Sequence, residues 1–283
     1  ATMSPGNAST LAGKCQWALV RGGTARAALS AIYKRACAKG WRPGHNAWAD
    51  WPVGTELRES LRDIYSAFES KEDCLELPAR DRLAVPPIVV LTDAMWEPGD
   101  GLPHGFGHLG FVAWIPDDGG EPPPVACLRK SALQRVRGKH GWVVWGDLAA
   151  PPELLAWSNR IKAKQTFIVL LELVAIAAVY SSPIALAFRG RDVLHFADNQ
   201  SANMGIVKGR SSSPDLNAVI GELHQTWSGL DIRPWIEYVR SAANVADLPS
   251  RLEGNLVSDT LGLLTQQVIV SVPPSLRALV VRR

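Results

Sequence analysis

The sequence predicts an α/β fold: a mixed sheet with helices on its faces, preceded by a small helical region. Three observations predict it. Apolar runs of strand length recur between turn-rich stretches, at 88–94, 108–115 and 193–197. The first strands are joined by Gly/Pro-rich loops without a crossover helix, which gives an antiparallel three-strand meander. From residue 152 onward helical patterns alternate with strands, which adds parallel strands to the same sheet.

The chain has 283 residues, 47% of them hydrophobic, enough for a substantial core, and this argues against disorder. A net charge of +3 permits a nucleic-acid partner without requiring one. Cys15, Cys37, Cys74 and Cys127 form no Cys-x-x-Cys pair and read as reduced thiols, not as a disulfide frame or zinc site. This fits an intracellular protein, with cytoplasm and nucleus both open. Residues 1–6 lack the charged and apolar regions of a signal peptide, and position 1 is not Met, so the chain reads as a piece of a longer polypeptide.

In order, a helix is expected over Thr24–Lys39, with Thr24 as cap and Ala28, Leu29, Ile32 and Ala36 as its apolar stripe. A second should follow a Thr55 cap to about Ser70. Residues 71–87 are charged, end in Pro86-Pro87, and read as a linker. Strands are then expected at Ile88–Ala94 and His108–Ile115, with Asp117-Asp118 in a hairpin turn and a third strand at Val125–Leu128. Arg129, Lys130, Arg135, Arg137 and Lys139 form a locally basic stretch. After Pro151-Pro152 come a helical region and, beyond Thr166, a long apolar helix.

Phe167 to Phe188 is long enough to span a bilayer, but it carries Glu172 and is broken at Ser181-Ser182-Pro183. A charge at a membrane helix centre costs about 2.5–3.5 kcal/mol. A buried helix followed by a connection or short strand is the better reading. Next come a strand to Ala197, a short helix over Ala202–Val207, a helix from Ser213 to about Ser228, and a last strand over Ile232–Val239. No function is assigned beyond Leu252.

Four acids stand out by position. Asp93 and Asp198 end strands, where open α/β sheets place their chemistry. Asp247 follows the last strand, and Glu172 lies inside an apolar helix with almost no polar face. Asp198 can equally be a helix N-cap. Glu172 needs a cation, because an unpaired buried carboxylate is expensive. Lys162 or Lys164 could supply it, and so could a metal ion. Oxygen ligands without a His or Cys cluster suit Mg²⁺ or Mn²⁺. With such company Asp198 reads as a central ligand, its capping role secondary.

The ordered segments Leu91-Thr92-Asp93-Ala94, Leu171-Glu172-Leu173, His195-Phe196-Ala197-Asp198-Asn199-Gln200-Ser201-Ala202, Val207-Lys208-Gly209 and Tyr238-Val239-Arg240-Ser241-Ala242-Ala243-Asn244-Val245-Ala246-Asp247-Leu248-Pro249-Ser250-Arg251 resemble the ribonuclease H domain of retrotransposon reverse transcriptases. The likeness covers roughly 87–251. It implies a ribonuclease H-like sheet and a catalytic set of Asp93, Glu172, Asp198 and Asp247. These would hold two Mg²⁺ (or Mn²⁺) ions and hydrolyse the RNA strand of an RNA–DNA hybrid. Asn199, Ser201, Asn244 and Arg251 would support the site, and Lys208 with the basic stretch at 129–139 could track a phosphate backbone.

Residues 1–86 resemble the tail of the reverse-transcriptase thumb and connection, which implies a polymerase domain as partner in the same polyprotein. No Tyr-x-Asp-Asp is present, so this chain should not polymerise. Residues 252–283 form a C-terminal extension. The loop 240–245 lacks the His that bacterial and retroviral relatives carry, and His104 and His108 read as turn residues. The stretch 129–152 lies outside the family pattern as an insertion. The alternatives are an inactive structural or nucleic-acid-binding module, and a related carboxylate exonuclease or integrase.

Overall fold

A computed structural model of the chain describes residues 2–18, 23–37, 51–69, 86–99, 101–117, 141–161, 167–211, 213–274 and 276. Two compact units are present, one of residues 1–80 with 205–225, the other of 81–204 with 226–283.

In the first unit, helices α1 (Pro5–Ala18), α2 (Gly23–Ala36) and α3 (Thr55–Glu69) pack in sequence. A two-residue strand pair, Thr2–Met3 with Trp51–Pro52, ties their ends. Ala8, Ala12, Leu29, Ile32, Leu57 and Ile64 are buried in one cluster, so the stripe at Leu29 and Ile32 faces inward as the helical spacing requires. Thr55 is the first residue of α3, not its cap: the Gly54 carbonyl already accepts the Arg58 N–H at 3.0 Å. Within this unit the Arg210 guanidinium lies 4.2 Å over the Tyr33 ring.

The second unit contains the mixed sheet that the patterning predicts. Its elements are β1 (Ile88–Glu97), β2 (Phe106–Pro116), β3 (Gly141–Ala149), α4 (Pro152–Ile161), α5 (Phe167–Ser181) and β4 (Asp192–Ala197). Helices α6 (Gln200–Lys208) and α7 (Pro214–Gly229) follow in the chain, their residues 205–225 belonging to the first unit. Then come β5 (Arg233–Tyr238), the short helices α8 (Asp247–Ser250) and α9 (Val257–Leu261), and β6 (Thr265–Gln267). The sheet order is β5-β4-β1-β2-β3-β6. The meander β1–β2–β3 is antiparallel, while β4 joins β1, β5 joins β4 and β6 joins β3 in parallel.

Several expectations change. The third meander strand is Gly141–Ala149, paired with β2 from His108↔Ala149 to Pro116↔Gly141. The second half of the supposed insertion 129–152 is therefore sheet. Its apolar run Trp142-Val143-Val144-Trp145 lies inside the stretch set apart as an insertion. Val125–Leu128 and the residues up to 140 lie outside the described residues, as do Asp118, Lys162, Lys164 and Thr166. Pro183–Phe188 forms a 3-10 turn, not a strand, as Pro at its start favours. His108 is no turn residue but a buried member of β2, its Nε2 3.6 Å from Asp147 Oδ2, whereas His104 does sit in a turn. Residues beyond 252 add the sixth strand, so this stretch is structural.

Helix α5 packs on β1 and β2 and is buried from Val169 to Tyr180, which explains its uniformly apolar sequence without a bilayer. Among the described residues no helix is long and apolar enough to cross a membrane. Residues opposed in register share a face. One face, with Val112 and Val143, is covered by Val257, Val245 and Leu248 from the C-terminal segments. Elsewhere in this unit, His195 accepts or donates at both ring nitrogens, 2.9 Å from Thr92 Oγ1 and 2.9 Å from Tyr180 OH. Complete burial pushes its pKa down to about 3, so it is neutral and ties β4 to β1 and α5.

Candidate metal centre

Three acids meet beside the carboxyl end of β4 and the middle of β1, which runs on to Glu97 and so does not end on Asp93 as expected, because its pairing with β2 continues to Glu97↔Phe106. Asp93 is carried by β1, Asp198 follows the last residue of β4, and Glu172 projects from α5. One carboxylate oxygen from each lies within 4.8 Å of those of the other two. Parallel pairing in register from Ile88↔Val193 to Thr92↔Ala197 brings the end of β4 level with Thr92 in β1, which sets Asp93 and Asp198 side by side. Asp93 and Glu172 are buried, while Asp198 is half-buried. They line an open cleft of about 280 Å³ with Trp96, Glu97, Ser241, Asp247 and Arg251.

Asp247 borders this cleft but stands outside the three-acid group. It opens α8, and its Oδ1 accepts a hydrogen bond from Arg251 Nε at 2.7 Å. Arg251, expected as a supporting residue, thus acts on Asp247.

Each acid has a different environment. Asp93 Oδ2 accepts the Ser250 hydroxyl at 2.5 Å. Burial, opposed by that bond and reinforced by the charges of Asp198 and Asp247, raises its pKa from 3.8 to about 6. Glu172 is pushed well above the usual carboxylate range, first by burial and then by Asp93 and Asp198, while the Ala94 backbone N–H works the other way. Its Oε2 is buried with no hydrogen-bond partner among the described residues. Asp198 Oδ2 accepts from Ser241 Oγ at 2.5 Å.

The capping question resolves on one bond. Asn199 Oδ1 accepts the Ala202 N–H at 3.1 Å, so Asn199 caps α6 and Asp198 keeps its carboxylate for the cleft. Ser201 is exposed on the first turn of α6, and Lys208 is exposed in its last. Asn244 is buried and donates from Nδ2 to the Thr92 carbonyl at 2.9 Å. Arg129, Lys130, Arg135, Arg137 and Lys139 fall outside the described residues.

Three residues at the site carry roles that the sequence does not assign: Ser241 and Ser250, which stand in the segment that carries the resemblance, and Asn203. Asn203 Nδ2 donates to the Ala197 carbonyl at 2.9 Å and to that of Glu237 at 3.3 Å, joining the ends of β4 and β5. Ser250 had a legible signal, since it falls three residues after Asp247, one helical turn on.

An orphaned buried oxygen and three converging carboxylates are a poor arrangement for a protein left to itself, because like charges at this distance repel. They fit a hard divalent cation, for which an all-oxygen donor set is the usual choice.

No family model matches the chain, and no curated protein matches it. Among solved structures, the chain is similar to RNase H1 from the halophilic archaeon Halobacterium salinarum, with 16% identity, 61% of this chain and 98% of that one covered, and a TM-score of 0.35. It is similar also to the N-terminal RNase H domain of a Mycobacterium tuberculosis protein, with 13% identity, coverages of 62% and 99%, and a TM-score of 0.35. LC9-RNase H1, a type 1 RNase H with the type 2 active-site motif, gives 14% identity, 66% and 79%, and 0.34. Likenesses of this size assign neither family nor activity. The strand order and the three acids stand on their own.

Proposed function

We propose that the chain is a metal-dependent nuclease of the ribonuclease H type that hydrolyses the RNA strand of RNA–DNA hybrids. The observation that carries this reading is the meeting of Asp93, Glu172 and Asp198 within 4.8 Å, with Glu172 Oε2 buried and unpartnered. The antiparallel meander followed by parallel strands, with one acid within β1 and another just past the end of β4, supports it.

Asp93, Glu172 and Asp198 would hold the first Mg²⁺ or Mn²⁺, and Asp247 would help to hold a second beside it. Such ions supply an activated water and stabilise the attacking and leaving oxygens of an in-line displacement at phosphorus. The chain's own part is orientation. Ser241 and Ser250 hold one oxygen each of Asp198 and Asp93. Asn199 caps α6 so that the turn after β4 presents Asp198 to the cleft. Arg251 orients Asp247 and adds positive charge at the cleft, where a phosphate would lie. Exposed Lys208 and the basic residues at 129–139 would contact backbone phosphates.

The retroelement setting belongs to the same proposal. Residues 1–86 would be the tail of a thumb and connection, 87–251 the nuclease, and 252–283 an extension that completes its sheet. A reverse-transcriptase polymerase of the same polyprotein would be the partner.

The test is cleavage of an end-labelled RNA–DNA hybrid, with duplex DNA and duplex RNA as controls. The expected result is cutting of the RNA strand only, dependent on Mg²⁺ or Mn²⁺ and abolished by EDTA. Absence of metal-dependent hybrid cleavage would overturn the reading.

A further inference from the structure

We propose that Ser250 is a positioning residue of the metal centre, locking the Asp93 carboxylate and seating the Asp247 segment beside it; this rests on the metal-centre reading above. Ser250 is fully buried. Its Oγ lies 2.5 Å from Asp93 Oδ2 and 3.0 Å from the Asp247 carbonyl. With one proton to give, the hydroxyl donates to the nearer, charged acceptor. One oxygen of Asp93 is thereby fixed, and with it the plane in which the other is offered.

A second, independent observation lies across the sheet. The residue opposite Asp93 in register is Gly110 of β2. A side chain there would run into the Ser250 backbone nitrogen, and its Cβ would lie 2.8 Å from the Pro249 carbonyl carbon and 2.9 Å from the Ala246 oxygen. All three are backbone atoms that cannot rotate away. A glycine inside a strand marks a close backbone approach, and here the approaching backbone is the turn that carries Asp247.

At its other end the segment is pinned by Asn244 Nδ2 to the Thr92 carbonyl at 2.9 Å. Residues 244 and 250 are thus tied to consecutive residues of β1, Thr92 and Asp93, with Asp247 midway between the ties. This arrangement holds the separation of Asp93 and Asp247 against their mutual repulsion. Ser250 touches neither ion nor substrate and acts through Asp93.

The test is Mn²⁺ binding by the full chain, followed by calorimetry and by electron paramagnetic resonance, with Asp93→Asn marking the site-specific component. Ser250→Ala is expected to weaken that component about 10–100-fold, the usual effect of losing a hydrogen bond that orients a ligand. Ser250→Thr keeps the hydroxyl and should stay close to wild type, a rescue that mere filling of space would not give. If the alanine variant does not fold, Ser250→Cys, nearly isosteric but a weak donor, should weaken binding likewise. Wild-type affinity in folded Ser250→Ala or Ser250→Cys overturns the inference and leaves the metal centre intact. No Asp93-dependent binding by the wild type overturns the metal centre itself, and the inference with it.

Discussion

Asp198→Asn should abolish hybrid cleavage while leaving a folded protein of undiminished metal-free stability. The amide keeps the shape of the carboxylate, and its oxygen can still accept the Ser241 hydroxyl that now lies 2.5 Å from Asp198 Oδ2. The negative charge is what is lost. In the metal-free state that charge is a burden, because it raises the proton affinity of both Asp93 and Glu172. With metal it would be a ligand at the point where the three acids converge. The loss of activity should reach about 10³-fold or more, the scale on which removing one well-placed electrostatic contact acts in a water-poor site. A cleavage assay paired with thermal melting in EDTA checks both halves. Robust cleavage by this variant would remove Asp198 from the site.

The second expected result is a metal-induced stabilisation that grows steeply with pH. Asp93 has a folded pKa of about 6 against 3.8, so the protonated form is favoured by folding. A raised carboxylate contributes its full stability below about pH 4 and loses it as the pH climbs through the folded value. The difference between 3.8 and about 6 is worth about 3 kcal/mol. Glu172 shifts in the same direction, so both acids draw the metal-free protein down as the pH rises through 6 and beyond.

Ion binding reverses the sign, because it requires the deprotonated forms. Melting temperatures in EDTA should therefore fall from about pH 5 to pH 8, while the increment on adding Mn²⁺ should rise over the same interval. Asp93→Asn should flatten both trends. An increment equal at the two pH values would show that these acids do not bind the ion.

Most of what positions the site was legible in periodicity. β1, β2, β4 and β5 follow from short apolar runs ended by turn residues, and α5 from an apolar helix with one acid in it. That lone acid was the most informative residue in the chain, since a carboxylate among Leu170, Leu171, Leu173 and Val174 needs a partner from outside its own helix. What the Ser241 and Ser250 hydroxyls bind is not legible in the sequence, because their acceptors are 43 and 157 residues away. No local pattern encodes such a distance. The secondary capping role expected of Asp198 beside its role as central ligand belongs to Asn199: Asp and Asn are adjacent and either can cap, and only the bond from Ala202 to Asn199 separates them. β3 is not predicted because its apolar run Trp142-Val143-Val144-Trp145 lies inside the stretch 129–152 that is set apart as an insertion, and it carries no simple alternation.

The sixth strand has a practical side. β6 pairs Thr265, Gln266 and Gln267 with Val143, Val144 and Trp145, and the Val268 N–H adds a bond to the Trp145 carbonyl at 2.8 Å. It stands against the outer margin of β3, in a stretch that carries two tryptophans. A chain cut after Arg251, where the resemblance to known nucleases ends, would bare that margin as a row of unpaired amides beside apolar side chains, the usual template for self-association. Such a fragment should scatter light and precipitate where the chain to 283 stays dispersed, and an equally dispersed fragment would show that β6 guards nothing. The useful boundary of the sheet-bearing unit therefore lies past Asp247.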